Sequence, residues 1–314
     1  LMVTGVQTCA LPISHMQYSK KHYFLFFIIK VLSYIPFWAL YVISDIMYYP
    51  LYYIIRYRRK IVRKNLTESF PEKNLHEIVS IEKKFYHFFM DMVLESGKLA
   101  TISPDEIMKR MKFSNIKMTN DLLDQGKSVD YFMGHYCNWE WMTSIGLWIK
   151  DDVVCAQVYH KLINPTFDEI IKQMRERMGN ICVEMRETAR FVANMASQNK
   201  PCMVALIADQ SPKRRQIKHY VKFLNHTVPV LVGPEKIAKH FGHIPVFVNA
   251  RRVKRGYYEC VFTPLHDNPS SLPDYELSDI YFKHLEDEIR RQPECYLWTH
   301  NRFKYAEYYE HQNK

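Results

Sequence analysis

The chain is poor in glycine and lacks the sequence patterns of nucleotide and metal sites. Its nine glycines form no phosphate-binding loop of the G-x-x-x-x-G-K type. It contains no H-E-x-x-H motif and no group of cysteines and histidines at metal-ligand spacing. The sequence therefore indicates neither nucleotide-driven chemistry nor a bound metal, and we expect no cofactor.

Cysteine usage excludes a disulfide framework. The seven cysteines are an odd number, and no two of them form a C-x-x-C motif. Six are scattered singly through apolar contexts such as Val154-Cys155-Ala156, and Cys9 belongs to the leader described below. This usage is typical of a protein in a reducing compartment.

The charge balance points to an anionic partner. The 314 residues are 47% hydrophobic and carry a formal charge of +10, so the partner is either nucleic acid or a phospholipid surface. The densest basic run directly follows an apolar segment, as a cytoplasmic membrane flank would; it comprises Arg56, Arg58, Arg59, Lys60, Arg63 and Lys64. Because no zinc-finger, RNA-recognition or basic-zipper pattern accompanies it, we expect a membrane and no nucleic acid.

The N-terminal region predicts a membrane anchor. Residues 1–15 do not begin with methionine and lack the basic region of a signal peptide, so they are interpreted as a non-native leader before a start at Met16. Apolar and aromatic residues fill Tyr23–Ile55, but the cleanest stretch, Val31–Ser44, is shorter than the roughly 20 residues of a spanning helix. We therefore favour a helical hairpin or shallow anchor over a single membrane span, with the anchor and its basic flank at residues 16–64. The other alternative is a buried amphipathic helix pair.

The remainder, residues 65–314, reads as one α/β domain. Apolar residues recur at helical spacing over Leu75–Ala100, and Ser103 stands where a helix cap is expected. Strands are predicted at Val129–Met133, Asp152–Val158, Cys202–Ile207, Pro245–Ala250 and Tyr257–Phe262, and helices at Trp139–Ile149, Thr166–Met178, Thr188–Gln198 and Gly233–Phe241. This alternation favours a mixed central sheet flanked by helices.

A candidate proton-abstraction site follows the first long predicted strand. His135 comes just after Val129–Met133, and Glu140 follows it by five residues. A histidine oriented by a carboxylate can remove the proton of an alcohol and make the oxygen a nucleophile. The spacing alone is weak, since a chain with 14 histidines and 33 acidic residues offers many chance pairs.

An ordered set of motifs makes the interpretation more specific. Gly134-His135-Tyr136-Cys137-Asn138-Trp139-Glu140 is similar to the first signature block of the lysophospholipid acyltransferase superfamily, in its lipid A branch of lauroyl and myristoyl transferases. The further matches are Asn65-Leu66 with Phe70-Pro71; Val158-Tyr159, Asn164-Pro165, Asp168, Arg175 and Arg177; Asp209-Gln210; Val221-Lys222-Phe223-Leu224 with Pro229; and residues 293–304, which resemble the ending PEQYLWLHRRFK. The resemblance runs from about Phe24 to about Lys304, with two departures: Tyr159-His160-Lys161 where Tyr-Arg-Pro is usual, and Asn301 in place of an arginine.

The resemblance implies a membrane-associated O-acyltransferase with a glycerolipid acyltransferase-like fold. Its donor would be an acyl carrier protein thioester, or acyl-CoA. Its acceptor would be an anionic lipid A precursor, and its place the cytoplasmic face of a Gram-negative inner membrane. Another acceptor, such as a lysophospholipid, an aminolipid or a glycosylated inositol lipid, stays open. So does a non-catalytic membrane lipid-binding protein.

Roles for individual residues follow from this resemblance. His135 would be the general base, Glu140 would orient its ring, and Arg175 would face anionic charge in the site. Contacts to substrate are predicted for Asn138, Tyr159, Lys161, Asn164, Arg177, Asp209 and Gln210. Asn138 could equally cap a helix, and Asp209 could orient Arg175 or a substrate hydroxyl.

Three neighbouring features have competing interpretations. Lys213-Arg214-Arg215 and Lys218 could receive an acidic carrier protein or a lipid phosphate, or could be a solvated loop. Cys137 could be a thiolate nucleophile, but a base and its carboxylate already account for acyl transfer. Trp298, His300 and Arg302 alternate along an extended tail, for which we predict a structural role.

Overall fold

The computed structural model describes residues 20–306, with side chains from residue 23 onward, so the predicted leader and the start at Met16 lie outside the described residues. The helices are α1 Lys20–Ser33, α2 Phe37–Tyr49, α3 Arg59–Ser69, α4 Leu75–Lys98, α5 Pro104–Arg110, α6 Ile116–Asp124, α7 Pro165–Glu176, α8 Thr188–Ser197, α9 Gly233–Phe241 and α10 Glu276–Arg291. The strands are β1 Met111–Phe113, β2 Val129–Met133, β3 Val154–Tyr159, β4 Asn180–Glu184, β5 Cys202–Ile207, β6 Tyr220–Phe223, β7 His226–Pro229, β8 Ile244–Lys254 and β9 Tyr257–Pro264.

A curled, mixed sheet in the order β1-β9-β8-β2-β5-β3-β4 forms the centre of the molecule. Strand β9 runs antiparallel to β8, and the other neighbouring pairs are parallel. All five residues of β2 are buried, as expected of a central strand that is covered on both faces. The predicted α/β class with a mixed, helix-flanked sheet is confirmed.

Most predicted elements agree with the structure, but the helix expected at Trp139–Ile149 is wrong. This segment forms a short 3-10 helix at Trp141–Leu147 instead. Its Thr143 carbonyl accepts a hydrogen bond from the Asn180 side chain, which competes with an α-helical bond at that position. A Cβ added at Gly146 would lie 2.3 Å from the Met178 carbonyl oxygen, so the segment packs against the end of α7 too closely for a regular helix.

The starts of α4 and α5 have side-chain caps. Ser103 accepts a hydrogen bond from the Glu106 amide at 3.2 Å, as the sequence predicted. At the start of α4, the Asn74 and Glu77 side chains each accept from the other's backbone amide, which completes a capping box. These caps fix where α4 and α5 begin, and α4 is the long helix against which the active-site loop packs.

Helices α1 and α2 combine a docked face with an exposed apolar face. Ser44 donates to Asp91 of α4 at 2.7 Å, and Tyr41 donates to Glu95 of the same helix at 2.9 Å. On the other side, large apolar side chains are exposed, among them Phe24, Phe27, Val31, Trp38, Val42 and Ile46. An apolar surface of this extent is typical of a membrane or protein contact.

None of the described helices is by itself long and apolar enough to cross a membrane. The segments Tyr23–Ser33 and Phe37–Ile55 meet the length and composition criteria only as a pair, and they are bent by 106° at the break between them. The predicted hairpin or shallow anchor therefore stays a prediction. The basic run after it is partly used within the fold, since Arg59 and Arg63 both bind the buried Glu82 of α4.

Candidate active site

The site is built at the carboxyl ends of two adjacent parallel strands. β2 and β5 pair in a register that sets Met133 opposite Ile207. His135 and Asp209 each follow the strand end by two residues, so the register places them side by side. His135 Nδ1 lies 2.6 Å from Asp209 Oδ1.

The two nitrogens of His135 have different partners. Because ionised Asp209 can only accept, Nδ1 carries the proton and donates it to the carboxylate. Nε2 then holds the single lone pair of the ring, which accepts from the Gln210 side-chain amide at 3.1 Å, and both side chains line the cavity. Of the two ring nitrogens, Nε2 is therefore the one able to accept a proton from a substrate.

Electrostatics reinforce this pair. Burial by itself would lower the pKa of His135, but the Asp209 and Glu140 carboxylates together outweigh burial, and the net pKa is raised above 6.5. Burial would raise the pKa of Asp209, yet the neighbouring His135 holds it below its usual value. The histidine is thus a stronger base than a solvated one, and its carboxylate remains ionised.

The predicted contact between Glu140 and His135 is not the one that the structure forms. Both Glu140 oxygens bind Arg175, at 2.9 Å from its Nε and 2.7 Å from Nη2. The carboxylate on His135 is Asp209, for which the sequence had suggested Arg175 or a substrate hydroxyl as partner. The reason is topological: the strand register presents Asp209 to the imidazole, while the 3-10 turn after Asn138 directs Glu140 towards α7.

His135, Glu140 and Arg175 line one cavity of about 530 Å³. Its mouth is polar, with His160, Lys172, Gln210 and Lys213 among the lining residues. Its wall is largely apolar and includes Met133, Met142, Ile145, Ile171, Ala205, Ile207 and Leu231. An apolar cavity with a histidine and a guanidinium at its polar end suits a molecule that has a hydrocarbon tail and a polar reacting group. Motif matching missed the wall residues, although several flank the predicted strand ends.

Of the remaining predicted substrate contacts, three side chains have structural roles instead. Asn138 is fully buried, where its oxygen accepts from the Trp141 amide at 3.1 Å. Asn164 caps α7 by accepting from the Thr166 and Phe167 amides. Arg177 binds the backbone carbonyls of Leu99 and Ile102. These contacts give each of the three side chains a role within the fold.

The other predicted substrate contacts differ in whether they line the cavity. Tyr159 and Gln210 line the cavity, whereas Lys161 is exposed beside it and is not part of the lining. Cys137 is wholly buried, and burial raises the pKa of its thiol well above the ordinary value. A thiolate at Cys137 is therefore disfavoured, which agrees with the preference for the histidine.

The segment at residues 293–304 packs against the loops that carry His135 and Asp209. The Leu297 amide donates to the His135 carbonyl at 3.0 Å, and the Cys137 amide donates to the Cys295 carbonyl at 2.9 Å. Arg302 is buried and donates to the Ser211 hydroxyl at 2.8 Å, close to Asp209. The segment follows a series of turns rather than the extended path expected from its alternation, and its contacts fit the structural role predicted for it.

Comparison with known proteins assigns the chain to a family. A comparison with curated proteins found no significant match. The family described as bacterial lipid A biosynthesis acyltransferase matches residues 11–305, nearly the whole chain. The match spans the predicted anchor, the His135 loop and the 293–304 segment together, and it supports acyltransferase activity over a non-catalytic lipid-binding role. The chain belongs to the bacterial lipid A biosynthesis acyltransferases.

Proposed function

We propose that this protein is a membrane-associated O-acyltransferase that moves a fatty acyl chain from acyl carrier protein to a hydroxyl of a lipid A precursor. The observation that carries the proposal is the His135–Asp209 pair, in which the imidazole is hydrogen-bonded to Gln210 through Nε2 and lines a largely apolar cavity. Family membership supports the acyl transfer itself and indicates a bacterial, membrane-associated enzyme.

The reaction needs one proton shuttle and no covalent enzyme intermediate. His135 Nε2 takes the proton of the acceptor hydroxyl while that oxygen attacks the thioester carbonyl carbon. The tetrahedral intermediate then collapses, the carbon–sulfur bond breaks, and the leaving thiolate takes the proton back from the imidazolium. Asp209 keeps the ring in the required tautomer and stabilises its charge during the transfer.

Arg175 supplies positive charge where the reaction develops negative charge. Glu140 holds the guanidinium in a bidentate pair at the cavity wall, and a fixed cation of this kind stabilises an oxyanion or a substrate phosphate. Lys213 and Arg215 lie at or near the cavity mouth, where an acidic carrier protein would bring its thioester. Roles for Arg175 as anion binder and for this basic loop as carrier contact are parts of the proposal.

Two apolar surfaces support attachment to the cytoplasmic face of the inner membrane. The first is the exposed side of α1 and α2. The second, here called the apolar lip, comprises Leu162, Ile163, Phe167 and Met185, which are exposed beside the cavity mouth. His160, Lys161 and Lys172 flank the lip, so its apolar tip and basic surroundings suit an anionic lipid surface.

The acceptor is tested by offering one acyl carrier protein thioester with different lipids to the detergent-solubilised protein. We expect transfer to a tetra-acylated lipid A precursor and none to lysophospholipid, aminolipid or glycosylated inositol lipid, measured by mass spectrometry of the lipid product. Transfer only to one of the other lipids would retain the chemistry and overturn the acceptor. Equal transfer from acyl-CoA would overturn the choice of donor.

The apolar lip is tested by Ile163→Asp. Because Ile163 is fully exposed, the change should leave folding unaltered. A charge in place of an isoleucine that the proposal inserts into lipid should weaken lipid contact by on the order of 10-fold. We expect that loss in the rate of transfer to acceptor embedded in phosphatidylglycerol vesicles, and no loss with acceptor dispersed in detergent. Val253→Asp, at another exposed apolar residue, is the matched control. Equal rates for the two variants on vesicles would remove the lip from the proposal.

A further inference from the structure

Glu95 lies at the centre of a buried polar cluster beneath the active-site loop. Its side chain has no exposure to solvent. Oε2 accepts hydrogen bonds from Asn138 Nδ2 at 2.8 Å and from the Tyr258 hydroxyl at 2.7 Å. Oε1 accepts from the Tyr41 hydroxyl at 2.9 Å. Each contact donates to the carboxylate, so the ionised form matches its surroundings.

The same residue holds both ends of the turn that carries Glu140. The Trp141 indole N–H donates to the Glu95 backbone carbonyl at 2.9 Å, and the Trp141 amide donates to the Asn138 side-chain oxygen at 3.1 Å. Cys137, just before the turn, has a φ of 52°, a conformation that is costly for a residue with a side chain. The turn therefore depends on outside contacts, and Glu95 makes two of them.

We propose that Glu95 is a positioning residue for acyl transfer, which holds the 138–141 turn so that Glu140 fixes Arg175 in the cavity, and which links that turn to α2 through Tyr41. Glu95 does not line the cavity, so it acts through the turn and not on substrate. The inference rests on the proposed function, because it assigns Arg175 a role in that reaction.

Ionisation of Glu95 lowers the stability of the folded protein, although the charged form is the one that accepts hydrogen bonds from the turn. Burial raises the pKa of Glu95 to about 7, and Asp91 on the same helix adds to the rise against the three donors. Arg252 and Arg255 bind Asp91, and Arg110 lies near Tyr41. Since the unfolded carboxyl titrates near 4.5, the folded state binds more protons between that pH and about 7, and stability falls as the pH rises through this window. A residue needed only for stability would not require the charged form.

Glu95→Gln separates positioning from stability. Measured with the full-length protein in detergent, we expect kcat to fall on the order of 10-fold, as displaced active-site groups do, with KM unchanged. The thermal midpoint at pH 8 should be no lower than that of the wild type, and its decline between pH 5.5 and 8 should be smaller. Tyr258→Phe removes one donor with less disturbance and should lower kcat about 3-fold, the equivalent of one hydrogen bond.

Glu82→Gln is the matched control. Glu82 is equally buried on the same helix, where it binds Arg59, Arg63 and the Tyr52 hydroxyl away from the turn. This variant should lose thermal stability and keep its kcat. Wild-type kcat in Glu95→Gln, or a loss explained by unfolded protein, would overturn the inference. If the proposed function itself is wrong, wild type and Glu82→Gln will also show no transfer to the lipid A precursor. That result distinguishes it from an incorrect role for Glu95.

Discussion

The variant His135→Ala is expected to lose about 10⁴-fold in kcat, because it removes the group that we propose accepts the hydroxyl proton. KM for the acyl donor should change little, since the alanine leaves the cavity wall intact. Steady-state transfer of labelled acyl chain from carrier protein to acceptor, over a range of donor concentrations, measures both quantities.

His219→Ala is the control for this variant. His219 also pairs with an aspartate, Asp279, at 2.7 Å, but it does not line the cavity. The control should keep full activity. If His135→Ala kept more than a tenth of the wild-type kcat, the general-base mechanism would be refuted.

Asp209→Asn carries the second large effect, a loss in kcat on the order of 10³-fold or more. The asparagine can present its NH₂ group to Nδ1, which favours the tautomer with the proton on Nε2, and that tautomer cannot accept a proton from substrate. The pH dependence of the rate should change as well, in a direction set by the raised pKa of His135. The wild-type rate should rise with pH along a limb whose midpoint lies above 6.5. The variant's limb should move to lower pH, because the carboxylate that favours the imidazolium is gone.

Asp130→Asn tests whether this loss is specific to the active site. Asp130 lies on the same strand, β2, is fully buried, and binds His243 Nδ1 at 2.8 Å. The pair therefore repeats the same chemistry away from the cavity, and its asparagine variant should retain the wild-type kcat. Comparable losses in the two variants would show that Asp209 acts through general stability and not on His135.

The sequence predicted the fold well where local signals are strong. The strands Val129–Met133 and Cys202–Ile207 and the helix Gly233–Phe241 have the predicted bounds, because apolar runs, turns and β-branched residues all agree there. The segment at Trp139–Ile149 was misassigned because its helical spacing was outweighed by contacts to Asn180 and Met178, which are distant in sequence.

The partner of His135 could not be read from spacing alone. Glu140 is near in sequence, whereas Asp209 is 74 residues away and reaches the ring only because β2 and β5 are neighbours. One signal was available: both His135 and Asp209 stand two residues after a correctly predicted strand. Strand order and register, which turn that coincidence into a contact, depend on packing across the whole sheet.

The contacts of the 293–304 segment bear on how the enzyme is made. This segment supplies the Leu297 amide to the His135 carbonyl and buries Arg302 beside Ser211. A ribosome makes α1 and α2 before it makes this segment. The loop that carries His135 therefore completes its hydrogen bonds only after the apolar helices have been synthesised. The proposed acyl transfer accordingly requires the 293–304 segment to have been made.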